Sequence, residues 1–152
     1  HGSTFYFTHP VEAGIGEPLE ISRDEDEKYD IPNLSGKNIL VAEDDPFSLE
    51  MIVFFLEATK ATVFVAEDGE KAVDMFRKNH IDIVLLDIRL PKINGYEVLK
   101  IIKNTDAAIP VIAQTAYAMQ EEIQHSKNKG FNHYLTKPII KKNLYKILSA
   151  YR

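Results

Sequence analysis

The stretch IDIVLLD, residues 81 to 87, decides the fold class of this chain. A short apolar run rich in β-branched residues predicts a strand that is buried on both faces, as in a parallel sheet. Asp87 ends the run, so we expect its carboxylate at the carboxyl edge of the sheet, where open α/β folds bind ligands. A second run, Asn38 to Ala42, is followed by Glu43 and Asp44. If the two strands are neighbours, their acids converge, and a cation is needed to offset the repulsion.

From Lys37 onward, strand patterns alternate with helix patterns. Five strand–helix units predict a parallel sheet with right-handed crossovers and with helices on both faces. Asp45 and Asp68 are expected N-caps, and Gly130 is an expected helix stop. The predicted strands are Asn38–Ala42, Thr62–Ala66, Ile81–Leu86, Pro110–Ala113 and His133–Thr136, and the predicted helices are Pro46–Ala58, Gly69–Lys78, Gly95–Asn104, Ala118–Lys129 and Lys141–Ala150.

Composition narrows the function class. The chain has 152 residues, 27% of them charged, and a net charge of −5, so it carries no nucleic-acid footprint. It contains no cysteine, which excludes disulfides and thiolate metal sites and fits a reducing cytoplasm. No run of residues is long and apolar enough to span a membrane. We therefore expect a cytoplasmic domain that contacts neither nucleic acid nor membrane.

The N-terminal residues differ in composition from the rest. The stretch Ser3 to Thr8 predicts one strand, which the following His-Pro pair ends. Residues 11–36 contain glycines, prolines and an acidic run, a composition typical of a linker. The predicted organisation is a strand remnant over residues 1–10, a linker over 11–36 and one α/β domain over 37–152.

The predicted strand ends together carry the groups that phosphoryl transfer needs. Carboxylates suit a hard cation such as Mg²⁺. A metal and a lysine neutralise the oxygens of a phosphoryl group, and a carboxylate can act as the nucleophile. The polar residues at the carboxyl ends of the strands are Glu43, Asp44, Asp87, Thr115 and Lys137.

Four segments together resemble the receiver domain of two-component response regulators, in order and in spacing: ILVAEDD (39–45), VLLDIRLPKINGYE (84–97), TAYA (115–118) and YLTKP (134–138). The resemblance covers residues 37 to 152 and implies a flavodoxin-like strand order, 2-1-3-4-5, with five helices. It implies that Asp87 accepts a phosphoryl group from a phosphohistidine. It further implies Mg²⁺ bound by Asp44, by Asp87, by Glu43 through water and by the Arg89 main-chain carbonyl.

The same resemblance assigns the remaining site residues. Lys137 would pair with the phosphoryl group, and the Lys137–Pro138 peptide would be cis. Thr115 would bind a phosphoryl oxygen, and Tyr134 would change rotamer with it. Such a domain catalyses only its own phosphorylation and dephosphorylation. The alternatives are a pseudo-receiver, which would lack one of the acids or the lysine, and a phosphohydrolase, in many of which a second aspartate takes the place of Arg89.

The N-terminal stretch GSTFYFTHP, residues 2–10, resembles the last strand of a histidine-kinase ATP-binding domain. Together, the two resemblances imply the C-terminal receiver of a hybrid histidine kinase, with residues 1–10 as a remnant of the kinase catalytic domain. Because its parent sheet is missing, the strand Thr4–Thr8 is expected to pair with a sheet edge such as Thr62–Ala66 or with the tail of another copy. The second arrangement would give a tail-dependent dimer.

The first predicted helix carries more apolar residues than one sheet face can cover. On a helical wheel, Ile52, Phe55 and Leu56 face the core. Apolar patches beside a site commonly bind partners, and the resemblance implies the histidine-bearing helices of a kinase or of a phosphotransfer protein. Coverage by neighbouring loops is the alternative. The outward residues are Leu49 and Val53 on one flank and Phe47 and Phe54 on the other.

Overall fold

Short parallel strands joined by helices form the sheet that the sequence predicts. The computed structural model describes residues 30–116 and 130–152. The strands are β1 (Asn38–Ala42), β2 (Thr62–Ala66), β3 (Ile83–Asp87), β4 (Val111–Thr115) and β5 (His133–Thr136). The helices are α1 (Pro46–Glu57), α2 (Gly69–Lys78), α3 (Gly95–Thr105) and α4 (Lys141–Leu148), and a 3₁₀ turn, Ser149–Tyr151, follows α4.

The predicted elements within the described residues are all present, with bounds shifted by at most two residues. The largest changes, of two residues each, concern β3, which begins at Ile83 rather than Ile81, β4, which extends to Thr115, and α4, which ends at Leu148 rather than Ala150. The expected helix Ala118–Lys129 and the expected strand Thr4–Thr8 lie outside the described residues. No helix within residues 30–116 and 130–152 is long and apolar enough to cross a bilayer.

The strand order is β2-β1-β3-β4-β5, with every pair parallel, as predicted. The order reverses at β1, which pairs with β2 on one side and with β3 on the other. In open α/β sheets this reversal leaves a crevice at the carboxyl ends of the strands. Ala42 aligns with Leu86, so the acids that follow β1 lie beside Asp87 at the end of β3.

Each face of the sheet has its own hydrophobic core. One core includes buried residues of α2 and α3 and the other includes buried residues of α1 and α4. All residues of β3 and β4 are buried, because both of their faces are covered. On β3, the side chains alternate between the cores: Val84 and Leu86 belong to the first, and Ile83 and Leu85 belong to the second.

Polar side chains fix the starts of the helices near the site. Asp45 accepts a hydrogen bond from the Ser48 amide at 2.8 Å, and Asp68 accepts one from the Lys71 amide at 2.8 Å. Both acids therefore act as the predicted N-caps. Asn94 begins α3 with a capping box, in which Glu97 contacts the Asn94 amide.

Tyr145 joins the last helix to the first. Its side chain is 1% exposed, and its hydroxyl donates to the Phe55 carbonyl at 2.8 Å. In a continued α-helix the Thr59 amide would donate to the Phe55 carbonyl. It donates to the Leu56 carbonyl at 2.9 Å instead. The tyrosine thus supplies a donor to a carbonyl in the last turn of α1, where helices lack internal partners.

Candidate phosphoryl-transfer site

Three carboxylates converge at the crevice between β1 and β3. Glu43, Asp44 and Asp87 each offer one oxygen atom, and these atoms lie within 4.8 Å of one another. Glu43 is 0% exposed and Asp87 is 5% exposed, whereas Asp44 is exposed to solvent. The convergence that the sequence predicts for these acids is therefore present.

Lys137 follows β5, the strand at one edge of the sheet, and its side chain reaches the acids from there. Its Nζ lies 2.5 Å from Asp87 Oδ2 and 2.7 Å from Glu43 Oε1, and it donates a hydrogen bond to both. Glu43 Oε2 is also 2.7 Å from this Nζ, but it receives no hydrogen bond. The Lys137–Pro138 peptide is cis, as predicted, and the Lys137 amide donates to the Thr115 carbonyl at 2.8 Å.

Burial and charge act against each other in this cluster. Burial raises the pKa of Glu43, and the hydrogen bond and charge of Lys137 only partly oppose it. For Lys137, burial alone would lower the pKa of the ammonium. Its hydrogen bonds to Asp87 and Glu43 outweigh the burial, so its pKa is raised. Three carboxylates against one ammonium leave an excess of negative charge at the site.

This donor set fits a hard divalent cation. Carboxylate oxygens are the ligands that Mg²⁺ and Ca²⁺ take in proteins. Glu43 Oε2 is a buried acceptor without a hydrogen bond, and Asp44 leaves the cluster open to solvent on one side. A cation would therefore offset the negative charge that three carboxylates carry beyond the one ammonium of Lys137.

The loop after β3 is held against Asp87 by its backbone. The Arg89 amide donates to Asp87 Oδ1 at 2.7 Å. A Cβ atom on Gly95 would lie 2.3 Å from the Asp87 carbonyl oxygen, and one on Gly69 would lie 1.9 Å from the Ile93 carbonyl oxygen. Only glycine allows these approaches, so both positions help to fix the loop beside the carboxylate.

The loop is also anchored by charge. Lys92, at the loop's tip, lies 2.7 Å from Asp68 Oδ2 and 3.3 Å from Glu70. Its hydrogen bond to Asp68 lowers the pKa of that carboxyl, with help from the Lys71 amide. The Arg89 amide contacts Asp87, and the expected role of the Arg89 carbonyl as a metal ligand stays a prediction.

Thr115 and Tyr134 lie on the opposite face of the sheet from Leu85. Thr115 ends β4 and is 8% exposed, and the alternation of β4 places it on the face of Ala113, in the first core. Tyr134 is half-buried and packs against the same core, with its ring 5.6 Å from that of Phe131. The two predicted switch residues thus share one face at adjacent strands, and their switching role stays a prediction.

Helix α1 exposes aromatic side chains next to the site. Phe47 is 80% exposed and Phe54 is 65% exposed, so within the described residues no loop covers them. Ile52 and Leu56 are buried, as predicted. Leu49 is half-buried and packs against the second core, so one of the four expected outward residues partly belongs to the core instead. Val53 is half-buried.

Gln114 was not singled out by the sequence reasoning. It lies on β4 in register with Asp87 and is 0% exposed. Neither its side-chain nitrogen nor its side-chain oxygen has a hydrogen-bond partner. An amide within a strand that is buried on both faces is the sequence signal that could have found it, since buried polar groups are normally paired.

Comparison with known proteins agrees with this geometry. The model of the response regulator receiver domain family matches residues 39–149. The polar-differentiation response regulator DivK of Brucella ovis is 31% identical over 76% of this chain and 95% of its own length. An uncharacterised 14.6 kDa protein of Leptolyngbya boryana is 32% identical over 78% of this chain and 92% of its own.

Solved structures give the same result. The receiver domain of the sensor histidine kinase PA1611 from Pseudomonas aeruginosa, which has a magnesium ion coordinated in its active-site cleft, superposes with a TM-score of 0.70. It is 32% identical and covers 76% of this chain and 97% of its own. The receiver domain of the Francisella response regulator 1452 superposes with a TM-score of 0.70 at 28% identity, over 75% of this chain and 94% of its own. This chain therefore belongs to the family of response regulator receiver domains of two-component systems.

Proposed function

We propose that this receiver domain takes a phosphoryl group from a phosphohistidine onto Asp87 in a two-component phosphorelay. The observation that carries the proposal is the 2.5 Å contact between Asp87 Oδ2 and Lys137 Nζ inside a cluster of three acids. A nucleophilic carboxylate needs nearby positive charge to meet an anionic phosphoryl group. Neither an acid nor the lysine of the cluster is missing, which argues against a pseudo-receiver that only binds partners.

In the proposed step, an Asp87 carboxylate oxygen attacks phosphorus. The O–P bond forms, the P–N bond to the donor imidazole breaks, and its electron pair stays on that nitrogen. A donor ring protonated at its other nitrogen therefore leaves as neutral imidazole. The Arg89 amide holds Oδ1 and Lys137 holds Oδ2, so the carboxylate keeps one orientation during the attack. The Lys137 ammonium then pairs with an oxygen of the transferred group, because that group brings its own negative charge whereas Asp87 loses its charge when it forms the O–P bond.

Mg²⁺ would be held by Asp44, by Asp87, by Glu43 through water and by the Arg89 carbonyl. When bound, it would neutralise charge on the phosphoryl oxygens. The fit of the donor set supports this assignment, as does the magnesium ion in the related Pseudomonas receiver domain. Thr115 would bind a phosphoryl oxygen, and Tyr134 would move with it. Their shared face on adjacent strands supports that pairing.

We propose that the partner is a histidine-bearing helix pair of a kinase or of a phosphotransfer protein, which docks on α1. The exposed rings of Phe47 and Phe54 support this surface. The half-buried Leu49 and Val53, on the other flank, would add only their exposed parts. The chain would be the C-terminal part of a hybrid histidine kinase, with the receiver over 37–152, a linker over 11–36 and a kinase remnant over 1–10. Phosphotransfer from an ATP-dependent kinase takes place in the cytoplasm, so the proposal implies that location. Pairing of the strand Thr4–Thr8 in trans would give the tail-dependent dimer.

Incubation with Mg²⁺ and acetyl phosphate tests the function. We expect the wild-type chain to gain the mass of one acid-labile phosphoryl group and Asp87→Asn to gain none. Asp74→Asn, on the exposed side of α2, is the matched control and should label like the wild type. Full labelling of Asp87→Asn would refute the assignment. A wild-type chain that labels with neither acetyl phosphate nor a phosphohistidine donor would favour the pseudo-receiver.

A further inference from the structure

Gln114 lies beside the phosphoacceptor in the sheet. Its Cα pairs with that of Asp87 on the neighbouring strand. Ile112, two residues earlier on β4, belongs to the second core, and so does Leu85, two residues before Asp87. Side chains alternate along a strand, so Gln114 and Asp87 point to the same face. Neighbouring strands lie about 4.8 Å apart, which makes the two side chains immediate neighbours.

The contact between Lys137 and Asp87 bridges the strand that carries Gln114. Lys137 follows β5, and Asp87 ends β3, with β4 between them. The side chains of Lys137 and Asp87 together therefore bridge two strand spacings, about 10 Å, and meet at 2.5 Å between Nζ and Oδ2. The residue of β4 that faces this path, level with Asp87, is Gln114.

The amide of Gln114 is buried at a cost that the described contacts do not offset. The residue is 0% exposed, and both polar atoms of its side chain lack a hydrogen-bond partner. Glu43 Oε2 also receives no hydrogen bond, but it lies 2.7 Å from the Lys137 ammonium, so charge compensates its burial, whereas the Gln114 amide has no such partner. Buried polar groups of this kind are normally bridged by an internal water.

We propose that Gln114 is a positioning residue for phosphoryl transfer: its buried amide hydrogen-bonds, through one internal water, to the Lys137–Asp87 pair and holds the ammonium in place. The role rests on the proposed function of Asp87. The amide offers a donor and an acceptor, so it can hold the water whether the ammonium contacts Asp87 or a phosphoryl oxygen. A core leucine or methionine at this position would remove this water-mediated contact with the Lys137–Asp87 pair.

Gln114→Met tests the role, because methionine keeps the length of the side chain and removes both polar atoms. At saturating Mg²⁺, we expect its maximal rate of labelling by acetyl phosphate to fall about tenfold, the ratio that one lost hydrogen bond supplies. The Mg²⁺ concentration for half-maximal rate should change by less than about twofold, since the metal ligands are unaltered. Gln114→Asn keeps the amide and should label faster than Gln114→Met.

Ile112→Met is the matched control for repacking on the same face of β4, and it should label at the wild-type rate. The proposal is overturned if Gln114→Met labels at the wild-type rate, or if Ile112→Met is slowed as much as Gln114→Met.

A measurement without a phosphodonor tests the contact of Gln114 with Lys137 separately from the proposed phosphoryl transfer. The side-chain NH₂ signals of Gln114 in ¹⁵N-labelled protein should shift in Lys137→Met and stay in place in Lys100→Met. Unshifted signals in Lys137→Met overturn the contact. If the wild type labels on no residue, the proposed function fails, and the amide signals alone decide the contact.

Discussion

Replacing Lys137 with methionine tests the electrostatic account of the site. The change keeps most of the apolar stem and removes the ammonium that contacts Asp87 and Glu43. It leaves two carboxylates, 5% and 0% exposed, facing each other without a cation. Removing one partner of a buried ion pair costs about 3–5 kcal/mol. The lysine side chain is 22% exposed, and protonation of Glu43, whose pKa burial already raises, relieves part of the repulsion.

We therefore expect Lys137→Met to lower the free energy of unfolding by about 3 kcal/mol at pH 7 without Mg²⁺. For a domain of this size, the loss corresponds to a fall in melting temperature of about 10 °C. Urea unfolding followed by circular dichroism measures it, with Lys100→Met, on the exposed side of α3, as a control that should change by less than about 0.5 kcal/mol.

The double variant with Asp87→Asn identifies the cause. In the Lys137→Met background, Asp87→Asn removes one of the repelling charges and should stabilise the fold, so the two changes are not additive. A loss below about 1 kcal/mol for Lys137→Met, or strict additivity of the two changes, would refute the reasoning. The pKa of Lys137 is raised in the folded state, so its contribution is complete below the unfolded value, about 10.4. The difference in the free energy of unfolding between the wild type and Lys137→Met should therefore become smaller only as the pH rises through the raised pKa of Lys137 in the folded state.

Three further outcomes follow from the same geometry. Millimolar Mg²⁺ should raise the melting temperature of the wild type. Asp44→Asn should raise the stability of the metal-free protein and reduce the rise in melting temperature that Mg²⁺ causes. A wild-type melting temperature that Mg²⁺ leaves unchanged would count against the metal site. Tyr145→Phe should cost about 1 kcal/mol in urea unfolding, because the Phe55 carbonyl loses its donor, and a neutral change would show that water replaces the hydroxyl. Phe54→Ala should slow transfer from the cognate phosphohistidine donor but not labelling by acetyl phosphate, and equal transfer rates would remove this ring from the docking surface.

The sheet and its acidic edge could be predicted because each follows from a local pattern. Buried apolar runs define the strands, and the carboxyl ends of parallel strands meet at one edge, so Glu43, Asp44 and Asp87 had to converge. Strand bounds were less certain, since β4 continues through Gln114 to a threonine that the apolar pattern did not include. A hydrogen-bonded ladder continues wherever the backbone pairs, whatever the side chains are.

The contacts within the site could not be predicted in the same way. Whether Lys137 contacts Asp87, Glu43 or both depends on a long side chain that crosses a whole strand, and no spacing in the sequence encodes that path. The partial burial of Leu49 depends on how α1 is rotated against the sheet, which a helical wheel gives only approximately. The buried amide of Gln114 becomes visible only when the register of β3 and β4 is known.

The fit of the loop after β3 has a consequence for protein engineering. The loop is held by backbone contacts at Gly69 and Gly95, where no side chain fits, and by the ion pairs of Lys92, whereas the side chain of Arg89 is exposed to solvent. A library that keeps both glycines and randomises position 89 would therefore vary the chemistry around Asp87 while the loop backbone stays in place. Position 92 is more restricted, because its φ of 65° favours glycine and asparagine and because its ion pairs anchor the loop. Under the proposed function, the lifetime of a phosphorylated Asp87 could thus be measured for one substitution at a time, with the scaffold held constant.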